Sequence, residues 1–565
     1  MKKRAILLIA LLAALGACAT APTTPPAGVA QFDWFEYSGH DAVYDAHPAG
    51  PGEYNNPILT GFYPDPAITQ VGSDYYIVNS TFSYFPGIPI FHSRDLVNWT
   101  QIGNVIDRPG MLNFDGLGIS RGVFAPTIAH HNGTFYVANT CVDCRGNFIV
   151  SATNPAGPWS DPIWLPQIGG IDPSLFFDTD GKVYLMNNDA PPEPPLYDGH
   201  RAIWIREVDP VTFQSITEPV VIINGGVRRE ERPIWIEGPH IFKRGDYYYL
   251  SAAEGGTAEG HSQVILRSRN VLGPYVANPN NPILTQRHLD RSRAEPITSV
   301  GHADYVQTPD GQWWASFLGV RPYQGDYYNT GRETFLMPVR WVDDWPVITS
   351  GDERVPYVHA RPNLPAQRAP QFPMSGNFAV REDFDWSTLA NHWLFIRGPG
   401  DSFVEMANRA LLLAPTSQHI GRLQHPSFVG RRQQHMNASA STAMIYTPQG
   451  PGDEAGLMAF QNDDFYYFLA VTTENGARVV QVQRRAGPNE SADGVVIASA
   501  RLIGAADAPV FLKIDARGGL YDFSYSETEG AWTPLLRDAD GTILSTRTAG
   551  GFVGAVFGLY AYDAP

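Results

Sequence analysis

Short apolar strands separated by glycine turns dominate the first 350 residues of the chain. At five places a turn glycine is followed by an aromatic or apolar run: VGSDYYIVNS, HNGTFYVANT, TDGKVYLMNN, KRGDYYYLSA and PDGQWWASFL. The five glycines, 48 to 66 residues apart, are Gly72, Gly133, Gly181, Gly245 and Gly311. Asn-Gly and Asp-Gly favour the positive φ angles of tight hairpins, and aromatic residues favour strands. The pattern predicts one hairpin repeated five times and very little helix.

Repeated units of a few strands each are typical of the blades of a β-propeller. A short polar cluster precedes each turn glycine, and the clusters read DPA, APT, DPS, EGPH and GHAD. In a propeller the first strand of each blade lines the central channel, so we expect these clusters to converge on one axis. We therefore predict a five-bladed β-propeller over residues 51–350. A sandwich with accidental hairpin similarity is the alternative.

The pattern changes after a proline-rich stretch. Five prolines between Arg354 and Met374 predict a stiff connector, assigned to residues 351–376, that is neither strand nor helix. Strands then recur at intervals of roughly 10 to 20 residues, the spacing of a β-sandwich, over residues 377–565. No ionisable cluster stands out there, so we expect a structural or carbohydrate-contacting domain without catalysis. The predicted fold class is all-β.

The N-terminus has the pattern of an export signal. Lys2, Lys3 and Arg4 precede an apolar run that is too short to span a membrane. The sequence LGAC ending at Cys18 resembles a bacterial lipobox, in which the cysteine is acylated. We predict a signal peptide over 1–18, lipidation of Cys18, a tether over 19–50 and a lipid-anchored protein of the bacterial envelope. An ordinary signal peptide with an incidental cysteine is the alternative.

Composition and charge exclude some partners. The chain is 43% hydrophobic and 17% charged, as expected for a globular protein, and its net charge is −17 at pH 7. Without a basic run after the leader, nucleic acid is excluded as a partner. Cys141 and Cys144 form a CxxC, but a zinc site needs two more ligands and no second cysteine pair exists. Structural or simply packed thiols are favoured, and the sequence leaves their redox state open.

Ionisable residues stand in four of the five polar clusters: Asp65, Asp172, Glu237, and His302 with Asp304. Carboxylates that face a shared cavity are a candidate functional site. Glycoside hydrolysis needs at least two, one ionised to activate water and one protonated to release the leaving oxygen. A third carboxylate, or burial, raises the pKa of the acid. Carboxylates on opposed blades favour a wide separation, roughly 6.5 to 9.5 Å, and hence inversion.

Six motifs resemble glycoside hydrolase family 43. They are NPILTGFYPDPAI, GGIDPSLFFDTDGKVYL, WIEGPHIFKRGDYYYL, AAEGGTAEGHS, GHADYVQTPDGQWW and NTGRETFLMPVRW. The resemblance runs from about Asn56 to Ile348. The C-terminal part, ending in GAVFGLYAYD, is similar to the concanavalin-like β-sandwich attached to many β-xylosidase-like members.

The resemblance implies a role for each motif residue. Asp65 is expected to be the general base, Glu237 the general acid, and Asp172 the group that tunes and orients that acid. The substrate-binding residues implied are Phe82, Phe124, Thr257, His302 and Arg332. Two alternatives stay open: the Asp-Pro aspartates start turns well, and Phe82 also suits a plain core. The resemblance implies no required cofactor, although His302 helps to hold a central water or calcium in related proteins.

One departure from the family pattern concerns a wall of the pocket. Many β-xylosidase-like relatives have WAP where this chain has Phe124-Ala125-Pro126. The change puts the leaving-group preference in doubt, not the mechanism.

The function expected from the resemblance is exo-acting removal of α-L-arabinofuranose, β-xylose or both from plant oligosaccharides. The altered WAP position favours arabinofuranose slightly. A β-xylosidase only, and a non-catalytic glycan-binding propeller on the cell surface, remain as alternatives, although a binding module would be expected to lose an acid or base. An endo-arabinanase is disfavoured because the appended sandwich in relatives closes the cleft into a pocket.

Overall fold

The computed structural model describes residues 26–565, which are built almost entirely from strands. Within this range the only α-helices are α1 (Ala42–Ala46) and α2 (Thr546–Ala549), and both are short. Neither these nor any other described helix has the length and apolar character needed to cross a membrane. The predicted all-β class is confirmed. The predicted signal peptide and Cys18 lie outside the described residues.

The predicted tether over 19–50 is wrong from Ala30 onward. The strand β1 (Ala30–Gly39) lies inside the larger sheet of the second domain, where it pairs antiparallel with residues Asn437–Ile445. Its apolar side chains are buried in the core of that domain, including those of Phe32 and Phe35. The physical reason is its aromatic-rich sequence AQFDWFEYSG, which favours a strand with an apolar face over a solvated linker.

Five antiparallel sheets follow in chain order, after β2 (Glu53–Asn55). The strands up to the end of the second sheet are β3 (Ala67–Val71), β4 (Asp74–Val78), β5 (Tyr84–Phe85), β6 (Gly87–Ser93), β7 (Thr100–Ile106), β8 (Gly122–Val123), β9 (Thr127–His131), β10 (Thr134–Val142), β11 (Gly146–Ala152) and β12 (Ile163–Trp164). All of them except β5 belong to the first two sheets. Those of the last three are β13 (Ile171–Phe177), β14 (Val183–Asp189), β15 (Ala202–Val208), β16 (Val220–Asn224), β17 (Glu237–Arg244), β18 (Tyr247–Glu254), β19 (Ser262–Ser268), β20 (Val276–Ala277), β21 (Leu284–Thr285), β22 (Thr298–Gln307), β23 (Trp313–Val320), β24 (Glu333–Val342) and β25 (Trp345–Val347).

The first strands of the five hairpins form a closed ring. They are β3, β9, β13, β17 and β22; each contacts the next, and β22 contacts β3. Each makes the predicted hairpin with the strand after it, and the five turn glycines have positive φ. Buried apolar clusters lie between neighbouring sheets. The residues that begin the five first strands are thereby brought towards one axis.

The connector contains one element that the sequence analysis did not predict. β26 (Val358–Ala360) lies within residues 351–376 and pairs antiparallel with β2. The connector is also tied down by side chains, since Arg361 Nη2 donates to Asp95 Oδ2 at 2.6 Å. The prediction of a segment without secondary structure is therefore wrong at this point, because β2 offers an open edge to the passing chain.

Two sheets that share one apolar core form the second domain. Its strands after β1 are β27 (Phe378–Glu382), β28 (Phe395–Ile396), β29 (Val404–Ala407), β30 (Ala410–Leu413), β31 (Ser427–Arg432), β32 (Asn437–Ile445), β33 (Glu454–Asn462), β34 (Phe465–Glu474), β35 (Ala477–Ala486), β36 (Val495–Arg501), β37 (Val510–Arg517), β38 (Leu520–Ser526), β39 (Thr533–Asp540) and β40 (Val556–Tyr562). One sheet has the order β29-β30-β1-β32-β37-β38-β39 and the other β31-β40-β33-β34-β35-β36. Leu512 of the first and Leu469 of the second belong to the same buried cluster.

Candidate active site

A cavity of about 230 Å³ brings together the three carboxylates singled out in the sequence. Asp65 precedes β3, Asp172 lies in β13 and Glu237 begins β17, and all three line the cavity. These strands belong to the first, third and fourth sheets of the ring. The polar clusters at the start of the first strands therefore do converge.

Local backbone irregularities turn these side chains towards the cavity. Asp65 and Asp172 have φ values of 53° and 56°, in the left-handed region that residues other than glycine seldom adopt. The strand register shifts near Asp172 and directly after Glu237, as in a β-bulge. Bulges re-aim side chains next to active sites, and backbone strain of this kind is often kept where function requires it.

Asp65 lies in an environment that favours its ionised form. Arg332 Nη1 donates to Asp65 Oδ1 at 3.0 Å, and Ser80 Oγ donates to Asp65 Oδ2 at 2.5 Å. Burial alone would raise the pKa of Asp65, but the charge of Arg332 and the Ser80 hydrogen bond outweigh it and hold this pKa below its usual value. Asp65 is thus suited to accept a proton from water.

Glu237 and Asp172 experience the opposite effect. Burial, followed by the negative charges of Asp172 and Asp65, raises the pKa of Glu237 well above its usual value. Burial, and then the charge of Asp65, raises the pKa of Asp172 to about 7, although the Gly238 N–H donates to its Oδ2 at 3.0 Å. Carboxyl groups whose pKa values are driven apart in one cavity can divide acid and base roles. Glu237 is suited to hold a proton at neutral pH.

The substrate-binding residues implied by the resemblance also line this cavity: Phe82, Phe124, Thr257, His302 and Arg332. The rings of Phe82 and Phe124 meet edge to face, with centroids 5.7 Å apart. His302 Nδ1 lies 3.9 Å from Asp65 Oδ1, and burial lowers the pKa of His302 to about 3, so the imidazole is neutral.

Two further aromatic residues of the cavity were missed in the sequence. Phe552 reaches it from the second domain and stacks on Phe82, with centroids 5.8 Å apart and an interplanar angle of 21°. Trp235 lines the cavity as well. Its place two residues before the acid was a usable signal, whereas nothing in the sequence around Phe552 indicates a contact between domains.

The residues of the channel do not form a calcium cage by themselves. In the described part of the chain, no group of three or more His, Cys, Asp or Glu side chains is arranged to hold a metal ion. Calcium takes six to eight oxygen ligands, yet the oxygens of Asp304 already accept the N–H groups of Ile68 and Tyr305, each at 2.9 Å. Calcium in the channel stays a prediction. Cys141, near the end of β10, is paired as a disulfide with Cys144 in the turn that follows.

Comparison with known proteins gives the class. The family model described as Glycosyl hydrolases family 43 matches residues 54–346. The family model described as Beta xylosidase C-terminal Concanavalin A-like domain matches residues 381–565. The chain therefore belongs to glycosyl hydrolase family 43 and is a glycosidase. The predicted concanavalin-like second domain is confirmed.

Similar proteins cover nearly the whole chain. The non-reducing end α-L-arabinofuranosidase BoGH43B of Bacteroides ovatus is 38% identical, over 90% of this chain and 91% of that protein. The xylosidase/arabinosidase of Butyrivibrio fibrisolvens is 36% identical, over 90% of this chain and 95% of that protein. The crystal structure of a GH43_12 protein retrieved from a capybara gut metagenome has a TM-score of 0.88 and 41% identity, covering 94% of this chain and 99% of that one.

Proposed function

We propose that this glycosidase removes single terminal pentoses, α-L-arabinofuranose and β-xylose, from oligosaccharides of plant origin, with inversion at the anomeric carbon. The observation that carries the proposal is that Asp65 and Glu237 line the same small cavity. The surroundings of Asp65 favour its ionised form, whereas those of Glu237 favour its protonated form. Pockets for drug-sized ligands usually run from about 300 to 1,000 Å³. The smaller cavity suits one sugar unit, and hence exo action.

Asp65 takes a proton from a water molecule, whose oxygen attacks the anomeric carbon. Glu237 gives its proton to the glycosidic oxygen, and the bond between that oxygen and the anomeric carbon breaks. The products are the free pentose and a shortened glycan with a hydroxyl group. Asp65 leaves the step protonated and Glu237 ionised, and exchange of one proton with solvent restores both. Asp172 keeps the pKa of Glu237 high through its negative charge.

Inversion is supported by the way in which Asp65 is held. Both of its oxygens accept hydrogen bonds, one from Arg332 and the other from Ser80 and Arg332. A carboxylate fixed in this way on the first sheet, with the acid on the fourth, suits activation of a water molecule from the face opposite the leaving oxygen. A retaining nucleophile would instead have to form a bond to the sugar.

The choice of sugars follows from the relatives. One is named an α-L-arabinofuranosidase and another a xylosidase/arabinosidase. Phe124, in place of the tryptophan of many β-xylosidase-like members, supports the arabinofuranoside as the better substrate. The closed ring of five first strands supports a five-bladed propeller as the architecture of the catalytic domain.

Export and a lipid anchor at Cys18 are part of the same proposal, because they would place the enzyme where oligosaccharides arrive. Metabolic labelling with a radioactive fatty acid tests the anchor. Label should enter the full-length chain and be lost in Cys18→Ala, and equal labelling of the two would contradict acylation at this residue.

The proposed activity is tested by assaying the purified protein on 4-nitrophenyl α-L-arabinofuranoside and 4-nitrophenyl β-xyloside in parallel. We expect turnover of both, with the arabinofuranoside faster. A rate on the xyloside alone would favour the β-xylosidase alternative. Turnover of neither would contradict the proposal and favour a glycan-binding role.

A further inference from the structure

Trp235 occupies an unusual place beside the proton donor. It precedes Glu237 by two residues and lines the same cavity. Its φ is 52°, which for a bulky aromatic residue is a genuine outlier. Such a conformation persists only where the surrounding contacts hold it, and it is common at ligand-binding positions.

Contacts from two neighbouring sheets hold Trp235 in this conformation. Its N–H donates to the carbonyl of Gly199 at 2.8 Å, in the connection between β14 and β15. The carbonyl of the preceding Ile234 accepts from the N–H of Gly255 at 2.9 Å, directly after β18. The guanidinium of Arg201 lies 4.2 Å from the centroid of the indole and covers one face of the ring. What remains of the ring is presented to the cavity.

The aromatic residues divide the cavity into two sides. Phe82, Phe124 and Phe552 pack together, and the Arg332 guanidinium that binds Asp65 lies over Phe552 at 5.4 Å. Asp65, the base, lies on the side of these phenylalanines because it is bound by Arg332. Trp235 comes just before β17, the strand that begins with the acid, and it contacts Gly199 and Arg201 of the connection between β14 and β15. Because a general acid must reach the oxygen that it protonates, the leaving group lies on the side of Trp235.

One exposed apolar side chain lies next to Trp235 at the edge of the cavity. Ile234 is 44% exposed although it is a large apolar residue. It packs against Gly199 and Gly256, where an added Cβ would come within 2.9 Å and 3.0 Å of its side chain. Gly256 itself lines the cavity.

We propose that Trp235 is a specificity-determining residue that stacks on the sugar ring of the leaving side, with Arg201 as the positioning residue behind it. The inference rests on the proposed glycosidase activity and deepens it. The preferred substrates are then glycans in which the terminal pentose is attached to another sugar ring, rather than pentosides of small alcohols.

Two substrates with the same terminal pentose separate stacking from acid catalysis. One is a disaccharide and the other the methyl pentoside; both have poor leaving groups that need the proton of Glu237, but only the disaccharide has a second ring. Trp235→Ala should lower kcat/KM on the disaccharide about tenfold, the equivalent of one aromatic contact. The same variant should lower kcat/KM on the methyl pentoside much less, because that substrate has no second ring, and Trp235→Phe should retain most of the activity on both.

Trp386→Ala is the matched control, because Trp386 is 72% exposed on the second domain and lies outside the cavity; it should alter neither rate. Equal losses on both substrates in Trp235→Ala would overturn the inference and assign Trp235 to holding the acid. Unchanged rates on both would overturn it as well. If the wild-type protein hydrolysed neither substrate, that result would contradict the proposed function and also the inference, which rests on it.

Discussion

Replacement of Glu237 by glutamine tests proton donation at the leaving oxygen. The amide keeps the size of the side chain but cannot supply an acidic proton. In the native cavity that proton is available at neutral pH, because burial and the charges of Asp172 and Asp65 raise the pKa of Glu237. General acid catalysis contributes about 10²- to 10⁴-fold, or about 2.7 to 5.5 kcal/mol of barrier. We expect a loss of this size on a pentose linked to another sugar.

The assay compares two leaving groups. A 4-nitrophenolate departs with little help, so Glu237→Gln should lose far less on the 4-nitrophenyl pentoside than on the disaccharide. The alkaline limb of its kcat/KM profile should also disappear, since deprotonation of the acid no longer limits the rate.

Glu254→Gln is the matched control for Glu237→Gln. Glu254 is also buried, and burial raises its pKa, but its Oε2 accepts the N–H of Val227 and it does not line the cavity. It should behave like the wild type on both substrates. Small and equal losses on the two substrates in Glu237→Gln would refute the assignment of Glu237 as the acid.

Two further predictions concern the base and the N-terminal strand. Arg332→Met removes a positive charge that lowers the pKa of Asp65, so the acidic limb of kcat/KM should move to higher pH; a limb that stayed in place would contradict the pairing. Phe32→Ala leaves a cavity in the core of the second domain and should lower the free energy of unfolding by about 3 to 5 kcal/mol in a urea titration. Asp33→Ala, on the half-exposed side of the same strand, should change it little, and equal effects would argue against β1 as a core strand.

The sequence was sufficient for the parts of the site that rest on local signals. Asp65, Asp172 and Glu237 each lie at or just before the start of a strand that leads into a recognisable glycine hairpin, so repetition alone placed them at equivalent positions. The five hairpins were predictable for the same reason, because turn chemistry and the following aromatic run lie within about ten residues.

Long-range pairings were not predictable in this way. β1 pairs with strands that come more than 330 residues later in the chain, and the proline-rich composition before it suggested a linker. Phe552 belongs to an apolar stretch like many others in the second domain, and only the packing of the two domains brings it against Phe82. Trp235 could have been predicted as a residue of the site, because it is an aromatic residue only two positions before the candidate acid.

The anomer released first tests the central claim most directly, that Asp65 activates water opposite an acid at Glu237. Proton NMR should be recorded during the first minutes of hydrolysis, before mutarotation mixes the anomers. The account predicts that an α-L-arabinofuranoside first gives β-L-arabinofuranose. First release of the α anomer would mean retention, and it would contradict the role of Asp65 as a base.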